Sequence, residues 1–145
     1  MEKKTRSIQM TKEINASPEV IYSMLTEGKE LSRWFPHRAE TEPVVGGHYM
    51  FAFDHSSGVK DEHTGTFLEL VPNKRVRFTW PKMDTEVTFE IVKNATGSEL
   101  TINHTGFPET GNEEGYSSTQ RGWTFFLGNL KSLLEEGKDT RPAVY

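Results

Sequence analysis

Five histidines, His37, His48, His55, His63 and His104, are the side chains of this chain that could carry a proton or ligate a metal near neutral pH. Asp54, His55, Asp61, Glu62 and His63 crowd into one short stretch. Imidazoles and carboxylates at that density can hold a divalent cation, but only where the ligands converge and are themselves fixed by hydrogen bonds. The stretch also contains Ser56, Ser57 and Gly58. It therefore reads as a turn with exposed charge, and no metal is expected. His104 shares one face of an alternating segment with Leu100 and Ile102. There it is either a hydrogen-bonded core residue or a polar handle in a pocket, able to exchange a proton with a ligand. It is the best general acid or base of the chain, ahead of Glu69 and Glu90. Glu69, inside the apolar run 67–70, is expected to face solvent and pair with Arg75 or Arg77 across a hairpin.

Other catalytic signatures are missing. Gly46-Gly47 lacks the lysine and the helix of a phosphate-binding loop, and no nucleophile elbow occurs. There are no cysteines, which excludes disulfides, thiolate chemistry and cysteine-based zinc sites. No catalytic residue is assigned and no cofactor is expected.

The large rings offer a different chemistry. Aromatic residues make up 11% of the chain. Flat rings pack with offset geometry and line cavities well, and Tyr, Trp and His add polar tips that orient a ligand. Each ring taken alone reads as core, but together they favour a ligand-sized cavity over a filled interior. The expected lining is Trp34, Phe35, Tyr49, Phe51, Phe78, Trp80, His104, Trp123, Phe126 and Leu127, with Tyr49 and His104 as the orienting tips.

These side chains must be held by regular elements. Trp123, Phe126, Leu127, Leu130, Leu133 and Leu134 recur at helical spacing and predict one long amphipathic helix over 116–137. Ser117 and Gln120 are read as its capping box. Ahead of it, 7–14 reads as a strand. Ser17-Pro18-Glu19 then starts a helix that Gly28 ends, and 30–35 is a second helical piece stopped by Pro36. Alternation predicts strands at 39–44, 48–54, 64–71, 75–80, 85–93 and 99–105. The glycine-rich segment 106–115 is read as a mobile loop, and with the turn 54–63 it is a candidate gate. The tail 138–145 is expected to be loosely held. The fold class is α+β: a curved antiparallel sheet closed by a single long helix, with space between them.

At 145 residues, one domain with a core over about 7–137 is expected. Hydrophobic residues at 34% and charged residues at 26% predict a globular, soluble chain. A net charge of -4 argues against nucleic acid as a partner. No apolar run could span a bilayer, and no apolar signal core follows the charged residues 1–6. A cytoplasmic location is therefore expected, and the sequons at Asn15, Asn94 and Asn103 are chance matches.

Several segments, in order, carry a resemblance: Ile14-Asn15-Ala16-Ser17-Pro18-Glu19-Val20, Leu31-Ser32-Arg33-Trp34-Phe35, Gly46-Gly47-His48-Tyr49-Met50-Phe51 and 65–72. It continues through 75–80 and 104–107 to Gly122-Trp123 and Leu130. Together they resemble the Hsp90 ATPase activator homologue (AHSA1-type) family of the START-like (SRPBCC, Bet v 1-like) helix-grip superfamily. The resemblance implies a β-α-α-β6-α arrangement with a hydrophobic cavity between sheet and C-terminal helix. It implies relatives that bind lipids, sterols, polyketides or plant hormones, some with cyclase or hydratase activity, and a stress-response setting. The eukaryotic namesake binds Hsp90 with two domains, of which this chain matches the C-terminal one.

The expected function is therefore small-molecule binding, with a hydrophobic or aromatic ligand (lipid, polyketide or similar) held between sheet and helix. The alternatives are a cyclase- or hydrolase-type enzyme using that cavity, or a module for an Hsp90-type chaperone. The expected partner is a hydrophobic small molecule, with a chaperone as the alternative. The expected state is a monomer or weak dimer.

Overall fold

The computed structural model describes residues 4–145, so the first residues of the charged N-terminal segment lie outside it. Strand β1 (Thr5–Ile14) comes first, followed by helices α1 (Pro18–Thr26) and α2 (Gly28–Leu31). Strands β2 (Arg38–Thr41), β3 (His48–Phe53), β4 (Asp61–Val71), β5 (Arg75–Trp80), β6 (Thr85–Asn94) and β7 (Gly97–Pro108) lead to helix α3 (Glu113–Glu136). All strands join one seven-stranded antiparallel sheet in the order β1-β7-β6-β5-β4-β3-β2. Consecutive strands from β2 to β7 are hairpin neighbours; only β1 crosses to the far side of β7. The fold is α+β, with α3 across the concave face: the helix-grip arrangement.

Local chemistry explains most of the elements. Ser17 has extended backbone, and its hydroxyl accepts from the Val20 amide at 3.3 Å, capping α1 ahead of Pro18. Strand β5 buries Val76, Phe78 and Trp80 and leaves Arg77 and Thr79 on the other face, the period-2 pattern of its sequence. Gly137 ends α3 in the left-handed conformation (φ 71°), its amide donating to the Leu133 carbonyl.

Other boundaries differ from the sequence reading. Strand β4 begins at Asp61, because Asp61, Glu62 and His63 pair with Phe53, Ala52 and Phe51. Strand β7 runs to Pro108, extended by pairing with Thr5 and Arg6, so the segment after Thr105 is sheet rather than loop. Helix α3 starts at Glu113, which places Ser117 and Gln120 inside it; Asn112, at φ 49°, precedes it without a side-chain cap. Helix α2 stops at Leu31, and turn hydrogen bonds from Trp34 and Phe35 back to the Leu31 carbonyl continue the chain.

The tail is docked rather than loose. Arg141 donates to the carbonyls of Ser32 (2.9 Å), Phe35 (3.3 Å) and Pro36 (2.8 Å). Asn129, buried on α3, donates to the Trp34 carbonyl and the Asp139 carboxylate and accepts from the Thr140 amide and hydroxyl. The Tyr145 amide donates to the Asp54 carbonyl, and Ser56 donates back to the Tyr145 carbonyl. These bonds satisfy backbone groups that would otherwise be orphaned.

The core fills the space between sheet and helices. Phe35 is its hub, with ring centroids 5.3 Å from Trp34, 5.3 Å from Phe51, 5.0 Å from Trp123 and 4.9 Å from Phe126. Packing of this kind adds to the apolar burial that drives folding.

Candidate functional site

Beside Phe35 the packing stops short and leaves a pocket of about 320 Å³ between α3 and the sheet. Helix α3 lines it with Ser118, Thr119, Gly122, Trp123 and Phe126. The sheet contributes Phe53 from β3, Asp61 and His63 from β4, Trp80 from β5 and His104 from β7. Buried Phe35, from the turn after α2, adds to the wall, and the exposed Met83, from the turn after β5, and Tyr145, from the tail, form the rim. Three larger depressions, about 440, 570 and 750 Å³, lie among strands, turns and the start of α1, with no wall from α3.

His104 is 1% exposed and uses both ring nitrogens within the protein. The Trp123 indole N–H donates to Nδ1 at 2.9 Å. An indole only donates, so Nδ1 carries the lone pair and Nε2–H points to the Thr85 hydroxyl at 2.8 Å. Burial pushes the His104 pKa down from 6.5 to about 4. A neutral histidine with both nitrogens engaged has none left for a substrate. Glu69 and Glu90 both pair with Arg75 on the sheet (3.5 and 3.4 Å) and line no part of this pocket.

The polar end of the pocket is built on Asp61. One carboxylate oxygen lies 2.7 Å from His55 Nε2 and the other 2.9 Å from His63 Nε2. Burial pushes the Asp61 carboxyl up, but the hydrogen bonds and charge of the two imidazoles outweigh it and hold it below the usual range. Burial lowers the His63 pKa, helped by the Lys82 charge and opposed by Asp61. Both imidazoles converge on the carboxylate rather than on a common point. Among the described residues no group of three or more His, Asp or Glu side chains is arranged to hold a metal ion.

Two polar atoms of this lining are buried without a hydrogen-bond partner among the described residues: His63 Nδ1 and Trp80 Nε1. The other indoles are satisfied, Trp34 by the Met24 carbonyl at 2.8 Å and Trp123 by His104. The His63 and Trp80 rings lie 4.8 Å apart.

Residues 15–135 match the family described as Activator of Hsp90 ATPase homolog 1-like protein. The chain belongs to this family. Among solved structures, protein CV1439 from Chromobacterium violaceum is 29% identical, with a TM-score of 0.74 over 89% of this chain and 97% of its own. The Aha1 dimer from Colwellia psychrerythraea is 27% identical, with a TM-score of 0.78 over 92% of this chain and 98% of that one. Protein MLL2253 from Mesorhizobium loti, at 24% identity, shares the fold with a TM-score of 0.78 over 92% and 99%. No curated protein sequence matches this chain. Family and fold together support a ligand-binding or chaperone-activator-type module. Among the described residues no helix is long and apolar enough to cross a membrane.

For this family member the sequence-derived lining divides in two. Phe35, Trp80, His104, Trp123 and Phe126 do line the pocket. Trp34, Tyr49, Phe51, Phe78 and Leu127 sit in the core around it, each at most 2% exposed. Tyr49 spends its hydroxyl on the Thr79 carbonyl at 2.7 Å, and burial pushes its pKa up. Sequence reasoning missed Phe53, Asp61, His63, Met83, Ser118, Thr119, Gly122 and Tyr145 as lining. Phe53 and His63 could have been found, because they alternate with residues of their own strands; Tyr145 carries no local signal.

Proposed function

We propose that this chain is a small-molecule binding protein that holds a hydrophobic or aromatic ligand in the pocket between the sheet and α3. The supporting observation is a pocket of about 320 Å³ walled by Phe35, Phe53, Trp80, Trp123 and Phe126. That volume sits at the lower end of small-ligand sites, which are mostly apolar with few polar groups. Apolar transfer from water drives such binding, at roughly 25 cal/mol per Å² buried. A compact ring system of two or three fused or linked rings suits the space better than a long acyl chain. The test is a panel of apolar and aromatic small molecules read by melting temperature and tryptophan emission. Binders raise both together, and a ligand at about 100 times its Kd adds about 2.7 kcal/mol of stability. A panel that moves neither readout overturns the reading. Native mass spectrometry of protein purified from its own host would identify a retained molecule by mass.

Binding to an Hsp90-type chaperone is the second reading, and the family description favours it. It predicts retention on immobilised chaperone, and no retention removes it. Catalysis through His104 has no such support, because both its nitrogens are engaged within the protein.

A further inference from the structure

A buried indole N–H or imidazole nitrogen without a partner is destabilising, and native proteins rarely leave two side by side. Trp80 Nε1 and His63 Nδ1 are such a pair, on neighbouring rings of one pocket wall. Trp80 is only 6% exposed. Their chemistry is complementary. Trp80 can only donate. Asp61 accepts from His63 Nε2, so Nε2 carries the proton and Nδ1 offers a lone pair. His55, on the second oxygen of Asp61, keeps that carboxylate in place. Neither atom is open to water, so a small turn of the His63 and Trp80 rings must accompany binding; what they then ask for is a group that accepts one hydrogen bond and donates another, and a hydroxyl is the smallest that does both. A carboxylate or ketone would satisfy Trp80 and leave His63 unmet. An ammonium would do the reverse.

We propose that the β4–β5 wall of the pocket is a hydroxyl-recognition subsite for a ring-bearing apolar ligand: Trp80 Nε1–H donates to the ligand oxygen, and His63 Nδ1, positioned by Asp61, accepts its O–H. This rests on the ligand-binding reading and adds to it the class of ligand. The rings of Phe35, Phe53 and Phe126 hold the hydrocarbon body, and the subsite sets its orientation.

The experiment compares 2-naphthol, naphthalene and 2-naphthoate by titration calorimetry and by the indole N–H signals in proton–nitrogen NMR spectra. Trp80→Phe and His63→Gln are the variants. The expected result is that 2-naphthol binds about tenfold tighter than naphthalene, the gain of one or two net hydrogen bonds. The Trp80 indole signal moves downfield with it while that of Trp34 stays still. In Trp80→Phe, which keeps a ring and loses the N–H, the preference falls to about twofold or less. Naphthalene binding survives in that variant, which shows that the pocket is intact. Equal affinity of naphthol and naphthalene overturns the subsite but leaves the binding reading standing. Tighter binding of naphthoate than of naphthol also overturns it, since that selects an anion site. Binding of none of these overturns both.

Discussion

His104 joins helix to sheet through one donor that has no alternative. Because Trp123 can only give a proton, the histidine tautomer is set, and protonation at Nδ1 would put two donors face to face. Burial adds to this and brings the pKa from 6.5 to about 4. The unfolded chain takes up that proton near the ordinary histidine value, whereas the folded chain resists it until about pH 4. Across that window the unfolded state holds more protons. Stability is therefore full above about pH 6.5 and is lost as the pH falls toward 4. His63, also lowered, acts with the same sign. His104→Gln can keep both hydrogen bonds but cannot titrate. Urea unfolding at about pH 7 and pH 4.5 should show the wild type losing roughly 2 kcal/mol more than this variant between the two conditions. Equal losses would show that His104 is not protonated on unfolding.

At the scale of elements, β4 is where strand pairing and the site meet. Gly65 lies opposite Tyr49. A Cβ there would overlap the Tyr49 ring and come within 2.7 Å of the Thr79 carbonyl, the atom that accepts the Tyr49 hydroxyl. The constraint is close approach, not backbone conformation. Gly65→Ala should therefore cost about 2–4 kcal/mol, seen as a lower urea midpoint with an unchanged slope. The same strand carries Asp61 and His63 at its start. Because adjacent side chains on a strand face opposite ways, the ladder with β3 places alternate residues toward the pocket. The outer face of the sheet carries the ion pairs Arg75–Glu69, Arg75–Glu90 and Arg77–Glu86, all half-exposed and worth little individually.

For the molecule as a whole, the two ends of the chain close the structure. Along α3, Tyr116 donates to the Ser7 carbonyl, Lys131 to the Glu13 carbonyl, and Glu135 accepts the Asn15 amide, so the helix is fixed to β1 at both ends. The tail then crosses back, anchored by Arg141 and Asn129, to set Tyr145 at the pocket rim beside His37, Phe53 and His55. Truncation after Gly137 should remove that rim and bare Phe53 and Phe126. The truncated chain should keep its circular dichroism spectrum, melt about 5–10 °C lower, and bind more of a hydrophobic dye than the full chain. A melting temperature within about 1 °C of the full chain would show that the tail bonds add nothing net.

The sequence alone determined the class of fold. Its alternation, its one long apolar stripe and its Ser-Pro-Glu start are local patterns with periods that map directly onto strand and helix geometry, and β5, α1 and the Trp123–Leu127–Leu130 stripe appear as read. The Glu69–Arg75 pair was legible for the same reason, since a tight hairpin converts short sequence distance into contact. Other features depended on partners far along the chain. Asp61, Glu62 and His63 look like a turn until β3 pairs with them. The tail looks free until Asn129 and the backbone after α2 receive it. Which rings fill the core and which wall a pocket also escaped the sequence, because periodicity gives a side chain's face but not its depth. Only the tertiary structure decided that Phe35 would occupy the centre, that His104 would use both nitrogens on its neighbours, and that His63 and Trp80 would be left with unmet hydrogen-bonding capacity side by side.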